Sequence, residues 1–279
     1  MLKVTNLTKK FKGKAALNDI NIELNNCVYG MLGENGAGKT TLMRCISGLY
    51  DYDSGKIILT QDGKIEKNIG RKIGYLPQSF EGLGELKVQE FMKFFADLKK
   101  INKNKIQEEI SNCLESVNLG DMKKIKVGNL SGGMRRRLGI AQAMLGNPKL
   151  IMFDEPTTGL DPKERIRFQN VIEENRNKDA IIIISTHIVS DIEALSDKII
   201  VMKEGEVLGI YTPKELAGKA EGKVYELSEA EYDKVRKKVI LIKISQEVSE
   251  RKVRVLSEEM LPYKKVDSNV EDGYLWISK

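Results

Sequence analysis

Cysteine is scarce in this chain and does not cluster: Cys27, Cys45 and Cys113 lie far apart, have no CxxC spacing and make an odd count. That pattern excludes a disulfide framework and a thiolate zinc site and suits reduced, packed thiols. Long apolar runs are also missing. The longest, Ala180 to Ile184, is strand-sized, whereas a membrane-spanning helix needs ~20 apolar residues. The opening stretch MLKVTNLTKKFKG has basic residues but no apolar segment, so no secretory signal is expected and the chain is placed in the cytosol. A large charge excess is lacking too: 46 Lys and Arg against 40 Asp and Glu leave +6, mixed along the whole chain. Such a balance does not support nucleic-acid binding. The densest basic cluster, Arg135-Arg136-Arg137, opens a helix and reads as a solvated face or a partner contact. There is no internal repeat and no low-complexity tract.

What is present is a chain of 279 residues, 41% hydrophobic and 31% charged, long enough for one large α/β domain and a small appendage. Its most informative stretch is Gly33 to Thr41, GENGAGKTT, which follows the apolar run Val28 to Leu32 and precedes Leu42, Cys45, Ile46 and Leu49 at helical spacing. Gly33, Gly36 and Gly38, with Asn35 and Ala37 between them, let backbone N–H groups turn inward around an anion. Lys39 reaches the outer phosphates, the Thr40 hydroxyl can ligate Mg²⁺, and Thr41 completes the motif. The helix that starts there aims its positive end at the phosphates.

Before this loop, Leu2 to Leu24 alternates apolar and polar residues around Lys12-Gly13-Lys14, as an antiparallel hairpin does. After it, Gly55 to Leu59 and Asp62-Gly63 read as a strand and turn. From Lys87 to about Leu119, Val88, Phe91, Phe94, Phe95, Leu98, Ile106, Ile110, Leu114 and Val117 follow helical spacing, a helical insertion in an α/β chain. Leu150 to Phe153 and Ala180 to Ile184 are uniformly apolar, which predicts central parallel strands buried on both faces, with a crossover helix over Pro162 to Asn175 between them. Lys198 to Tyr211 predicts a hairpin, and Thr212-Pro213 a helix start. The pattern lapses between Ala217 and Gly222. Residues 1–217 are therefore assigned to the main domain, with a helical part at about 80–148, and 218–279 to a small α+β domain. In the latter, Ser228 and Glu231 have capping-box spacing, and Lys223 to Leu227, Val239 to Ile244, Lys252 to Leu256 and Tyr274 to Ile277 are expected as strands.

Open α/β sheets bind ligands at the carboxyl ends of their strands, and this chain carries polar groups there. Asp154 can hold Mg²⁺ through water, and Glu155, one residue on, can accept a proton from an attacking water. His187, the only histidine, ends the next strand, within reach of the transferred phosphate and the water beside Glu155. Gln78, in Tyr75-Leu76-Pro77-Gln78, can bridge Mg²⁺ or water to the helical insertion. Phe11 is a candidate to stack on a purine face or to pack in the core.

The stretch Asn129-Leu130-Ser131-Gly132-Gly133-Met134 changes the category. Taken in order, Phe11, the loop Gly33 to Thr41, Gln78, Leu130 to Met134, Asp154-Glu155, Gly159-Leu160-Asp161 and His187 resemble an ATP-binding cassette ATPase, the nucleotide-binding subunit of ABC transporters, over about residues 1–215. Met134 stands where many members have Gln, and Phe11 where many have Tyr. The resemblance implies a P-loop core with an antiparallel β part and a helical part. It also implies Mg-dependent ATP hydrolysis and a head-to-tail homodimer in which Ser131, Gly132 and Gly133 of one subunit close over ATP held by the other, with Asp161 at the seam. Lys87 to Phe91, the basic segment after Met134 and Val270 to Leu275 resemble bacterial exporter ATPases whose membrane permeases are separate chains. A place on the inner face of the cell membrane follows. The competing class, soluble cassettes acting on ribosomes or nucleic acid, usually has two cassettes or a long coiled-coil insertion, and neither is found here.

Overall fold

Alternating burial along Leu2–Phe11 (β1) and Lys14–Leu24 (β2) turns Leu2, Val4, Leu7, Leu17, Ile20, Ile22 and Leu24 into the protein. The computed structural model describes the chain apart from residues 62, 67–68, 82, 177–178 and 248–249, so the turn expected at Asp62 lies outside the described residues. A bulge between Val4 and Leu7, with Asn6 at φ 48°, keeps Leu7 on the buried face. With Ser54–Gln61 (β4) and Lys64–Ile65 (β5), these strands form an antiparallel sheet in the order β2-β1-β4-β5.

The second sheet is parallel. Val28–Leu32 (β3), Leu150–Asp154 (β7) and Ile181–Ser185 (β8) are buried at every residue, as strands covered on both faces must be. They pair with Ile73–Leu76 (β6) and Lys198–Lys203 (β9) in the order β9-β3-β8-β7-β6, each pair parallel. Helices Lys39–Ile46 (α1), Pro162–Arg176 (α6) and Val189–Leu195 (α7) connect or flank these strands, and Ile69–Lys72 (α2) leads into β6. At the end of β9, Glu204 at φ 49° and Gly205 at φ 84° make the turn into Glu206–Tyr211 (β10).

The expected helical insertion is Val88–Leu98 (α3) and Ile106–Ser116 (α4), packed against Gly132–Met144 (α5) through Phe91, Met92, Ile110, Leu114 and Leu138. Helix α5 lies so close to β6 that a Cβ on Gly74 would stand 1.7 Å from the Ala143 carbonyl oxygen. Gly74→Ala is therefore expected to destabilise the protein by about 3 kcal/mol, seen as a fall in melting temperature of roughly 6–12 °C in a thermal unfolding scan.

Contacts divide the chain into Met1–Val207 and Leu208–Lys279. The second unit is an antiparallel sheet, ordered β12-β13-β11-β14, of Val224–Ser228 (β11), Ile240–Glu247 (β12), Glu250–Leu256 (β13) and Lys264–Lys265 (β14). Its helices are Pro213–Gly218 (α8), Glu229–Val235 (α9) and Val270–Ile277 (α10). Capping boxes start all three, at Thr212/Glu215, Ser228/Glu231 and Asn269/Asp272. Two expectations are corrected here. Pro213 to Ala217, assigned to the first domain, belong to α8, which packs on α10, with Gly273 so tight that a Cβ would lie 1.8 Å from the Leu216 carbonyl oxygen. Tyr274 to Ile277, expected as a strand, is the last part of α10. The β-propensity of Tyr, Trp and Ile is overridden by that cap and by Arg254, whose Nε and Nη2 donate to Oδ1 and Oδ2 of fully buried Asp272 at 3.0 and 2.5 Å.

Candidate active site

Strand β3 ends in the loop Gly33 to Gly38, where two glycines meet real steric demands. Gly38 has φ 103°, and a Cβ there would lie 2.8 Å from the Ala16 carbonyl oxygen; one on Gly33 would lie 2.6 Å from that of Met202. The loop can thus be packed close beneath its neighbours while its N–H groups stay free to turn. Lys39, the first residue of α1, is buried, and its ammonium donates to the carbonyls of Gly33 at 2.5 Å and Glu34 at 3.1 Å. Burial pulls its pKa down, while the charges of Glu155 and Asp154 oppose the shift. Lys39 lines a cavity of about 380 Å³ together with Asn35, Gly36, Thr40, Gln78 and Glu155. Ala37, Gly38 and Thr41 complete its loop side.

The parallel register sets Asp154 of β7 beside Ser185 of β8. Asp154 is fully buried, and its Oδ1 accepts from the Ser185 hydroxyl at 2.6 Å. Its Oδ2 lies 3.4 Å from the Tyr75 hydroxyl. Burial, and then the charge of Asp154, push the Tyr75 phenol up to about 12, so it remains a donor at neutral pH. Among the described residues the Asp154 carboxylate forms no ion pair; its direct partners are the neutral hydroxyls of Ser185 and Tyr75. A buried carboxylate left in that state can accommodate a cation.

Glu155 has a left-handed backbone at φ 50°, which costs a non-glycine residue about 1–2 kcal/mol. The conformation is held at both ends. Its N–H donates to the Ser185 carbonyl at 3.1 Å and hydroxyl at 3.0 Å, and its carbonyl accepts from Arg136. Its side chain is nearly buried, with Oε2 receiving the Thr158 hydroxyl at 2.9 Å and lying 3.0 Å from Nδ1 of His187. A carboxylate only accepts, so Nδ1 is the donor. Both contacts fall on Oε2, leaving Oε1 as the oxygen available to take up a proton.

The remaining sequence candidates divide into two groups. Gln78 reaches the loop cavity and also lines a separate one of about 310 Å³ with Gly132, Gly133, Thr158 and Gly159. Ser131 is exposed and caps α5, its hydroxyl accepting from the Met134 N–H at 3.2 Å. Asp161 is exposed and caps α6 by accepting from the Glu164 N–H at 2.9 Å. Ser131, Gly132, Gly133 and Asp161 are thus outside the lining of the loop cavity in their own chain. Phe11, 44% exposed, packs edge-on against Tyr50 at 5.6 Å rather than in the core. No cluster of three His, Cys, Asp or Glu side chains suited to a metal occurs among the described residues. Thr40, Gln78 and Asp154 offer only hard oxygen donors, the chemistry of a Mg²⁺ ion that keeps several waters.

Of the arginine run, expected as a solvated face or a partner contact, the middle residue is neither. Arg136 is buried and spends its side chain on carbonyls of Pro77, Gln78, Asp154, Glu155 and Pro156. Arg137 donates to those of Val117 and Asn118 at the end of α4. Helical phase held the signal, because Arg136 shares a face with Ile140 and Ala143. Ser185 and Tyr75 were also missed as partners of Asp154; aligning the ends of the two apolar strands would have found Ser185.

A family model described as ABC transporter matches residues 17–158. The chain is 36% identical over 229 residues to the Uncharacterized ABC transporter ATP-binding protein YxlF of Bacillus subtilis, covering 82% of this chain and 76% of that one. It is 34% identical over 209 residues to the Lantibiotic transport ATP-binding protein SrtF of Streptococcus pyogenes, covering 75% and 89%. Other relatives are much longer, and the chain spans 17% and 19% of two of them. Its fold matches the dimeric structure of a post-hydrolysis state of the ATP-binding cassette MJ0796 bound to ADP and Pi, with a TM-score of 0.68, 25% identity, and coverage of 76% of this chain and 98% of that one.

Proposed function

The chain belongs to the ABC transporter family as an ATP-binding cassette with ATPase chemistry, and from that premise we propose that it is the nucleotide-binding subunit of an exporter whose permease is a separate chain. The observation that carries this reading is the separation of the two halves of the site. The phosphate loop, Lys39 and Glu155 line one cavity, whereas Gly132 and Gly133 line another. The exposed start of α5 offers N–H groups and the Ser131 hydroxyl to an anion, and a second copy placed head to tail supplies one. Asp161 then lies at the seam, and the exposed Phe11 ring is available to an adenine. That the cassette MJ0796 was solved as a dimer with ADP and Pi supports the arrangement.

In this reading the loop N–H groups and Lys39 hold the phosphates. Thr40, Gln78 and Asp154 would hold Mg²⁺, which would supply charge neutralisation on the phosphate oxygens. Glu155 takes the proton of the attacking water, and His187, as an imidazolium with both ring N–H groups donating, orients the carboxylate from Nδ1 and meets the transferred group from Nε2. Most of the rate enhancement in such a site is positioning and charge stabilisation.

No helix among the described residues is long and apolar enough to cross a membrane. Likeness to ABC transporter ATP-binding proteins supports assigning the transport path to partner subunits and this chain to the cytoplasmic face. The name of SrtF, a lantibiotic transport ATP-binding protein, supports a transport role. Affinity purification of the tagged full chain from mildly solubilised membranes is expected to recover a polytopic membrane protein in stoichiometric amount. Recovery of ribosomal proteins or nucleic acid instead would replace this reading with that of a soluble cassette.

A further inference from the structure

Arg136 has five N–H groups, and each meets a backbone carbonyl. Nε donates to Pro156 at 3.2 Å, Nη1 to Pro77 at 3.0 Å and Gln78 at 2.8 Å, and Nη2 to Asp154 at 2.8 Å and to Glu155. No carboxylate takes part directly. Those carbonyls belong to two segments that the sequence keeps far apart, the turn carrying Gln78 and the strand end carrying Asp154 and Glu155. Arg136 itself stands on the second turn of α5, the helix that Ser131 caps.

We propose that Arg136 is the positioning residue of the hydrolytic site: it fixes the left-handed peptide of Glu155 and the backbone of Gln78 to α5, so that the seating of Ser131 on a partner's ATP sets the base in its own chain. This rests on the reading of Glu155 as the base and of Ser131 as a lid for a second copy. The geometry is specific to arginine. A lysine brings a compact ammonium with three donors instead of a flat fork with five, and at least two of the five carbonyls lose their partner. The peptide of Glu155 is the vulnerable member, because its backbone conformation is unfavourable without support from both sides. Arg136 lines the cavity of Gly132 and Gly133 and not that of the phosphate loop, so its loss should leave the affinity of a single chain for ATP in place.

The test is steady-state ATPase kinetics of the full chain with its permease, together with equilibrium binding of a fluorescent ATP analogue, for Arg136→Lys and Arg136→Gln. Expected are a fall in kcat of at least tenfold for Arg136→Lys, a larger fall for Arg136→Gln, and a dissociation constant for nucleotide within twofold of the original. In an E155Q background Arg136→Lys should lower the residual rate less than twofold, since the two act through one group. A kcat for Arg136→Lys within twofold of the original overturns the proposal. So does nucleotide affinity falling in step with kcat and melting temperature, which makes Arg136 a residue of the fold alone. Failure of the base assignment is read separately, from near-normal turnover in Glu155→Gln with Arg136 intact.

Discussion

Glu155→Gln is expected to cut ATP turnover by roughly 10²–10⁴ while leaving nucleotide binding intact. That range corresponds to about 3–5 kcal/mol of lost transition-state stabilisation. The substitution preserves shape: an amide oxygen can still accept from the Thr158 hydroxyl and His187 Nδ1, which meet the native Oε2 at 2.9 and 3.0 Å. What disappears is the ability to take up a proton at the remaining position. Because Lys39 and the loop are untouched, ATP still enters, and closure on a second copy is no longer relieved by hydrolysis. The variant should elute as a dimer in ATP in size-exclusion chromatography, whereas the native chain returns to monomer as ATP is consumed. Near-normal turnover would remove Glu155 from the role of base. Normal dimerisation with lost turnover would instead separate chemistry from closure, as the composite site requires.

The frame of this site was legible in the sequence because its chemistry sits where elements end. Val28 to Leu32, Leu150 to Phe153 and Ala180 to Ile184 announce themselves by uniform apolarity, and the residues that follow them are brought to one end of one sheet by parallel pairing. The glycines of the loop are legible for the same reason, since a positive φ and close backbone approach leave few alternatives. Arg136 was not legible by composition. Three consecutive arginines read as solvent-facing when charge is counted, and only helix phase reveals that the middle one points inward. Its value depends on five carbonyls from segments about 18 to 59 positions away, a relation that no local pattern contains. Tyr274 to Ile277 failed differently. Aromatic and β-branched residues favour strands in isolation, yet the Asn269/Asp272 cap and the close contact of Gly273 with Leu216 decide for a helix.

Lys39→Ala should abolish tight nucleotide binding, and the scale follows from what the ammonium faces. Its charge acts on both buried carboxylates, Asp154 and Glu155, from beside the phosphate loop, as that of Arg136 does from α5. Removing it takes away the charge-assisted bonds to phosphate and leaves two negative groups to repel the incoming triphosphate. Truncating one partner of such a buried charged contact costs about 3 kcal/mol, a loss of roughly 10² in affinity. Thermal unfolding gives the readout. At an ATP concentration of about 100 Kd for the native chain, binding stabilises the fold by about 2.7 kcal/mol; at the same concentration the variant sits near its own Kd and gains only about 0.4 kcal/mol. The ATP-induced rise in melting temperature should therefore shrink from roughly 5–11 °C to roughly 1–2 °C. Lys39→Met separates charge from packing, because it retains the buried stem that passes beneath the Gly33 and Glu34 carbonyls. Equal loss of the ATP response in both variants assigns the effect to the ammonium, whereas recovery in Lys39→Met would assign it to the stem and count against the phosphate cradle.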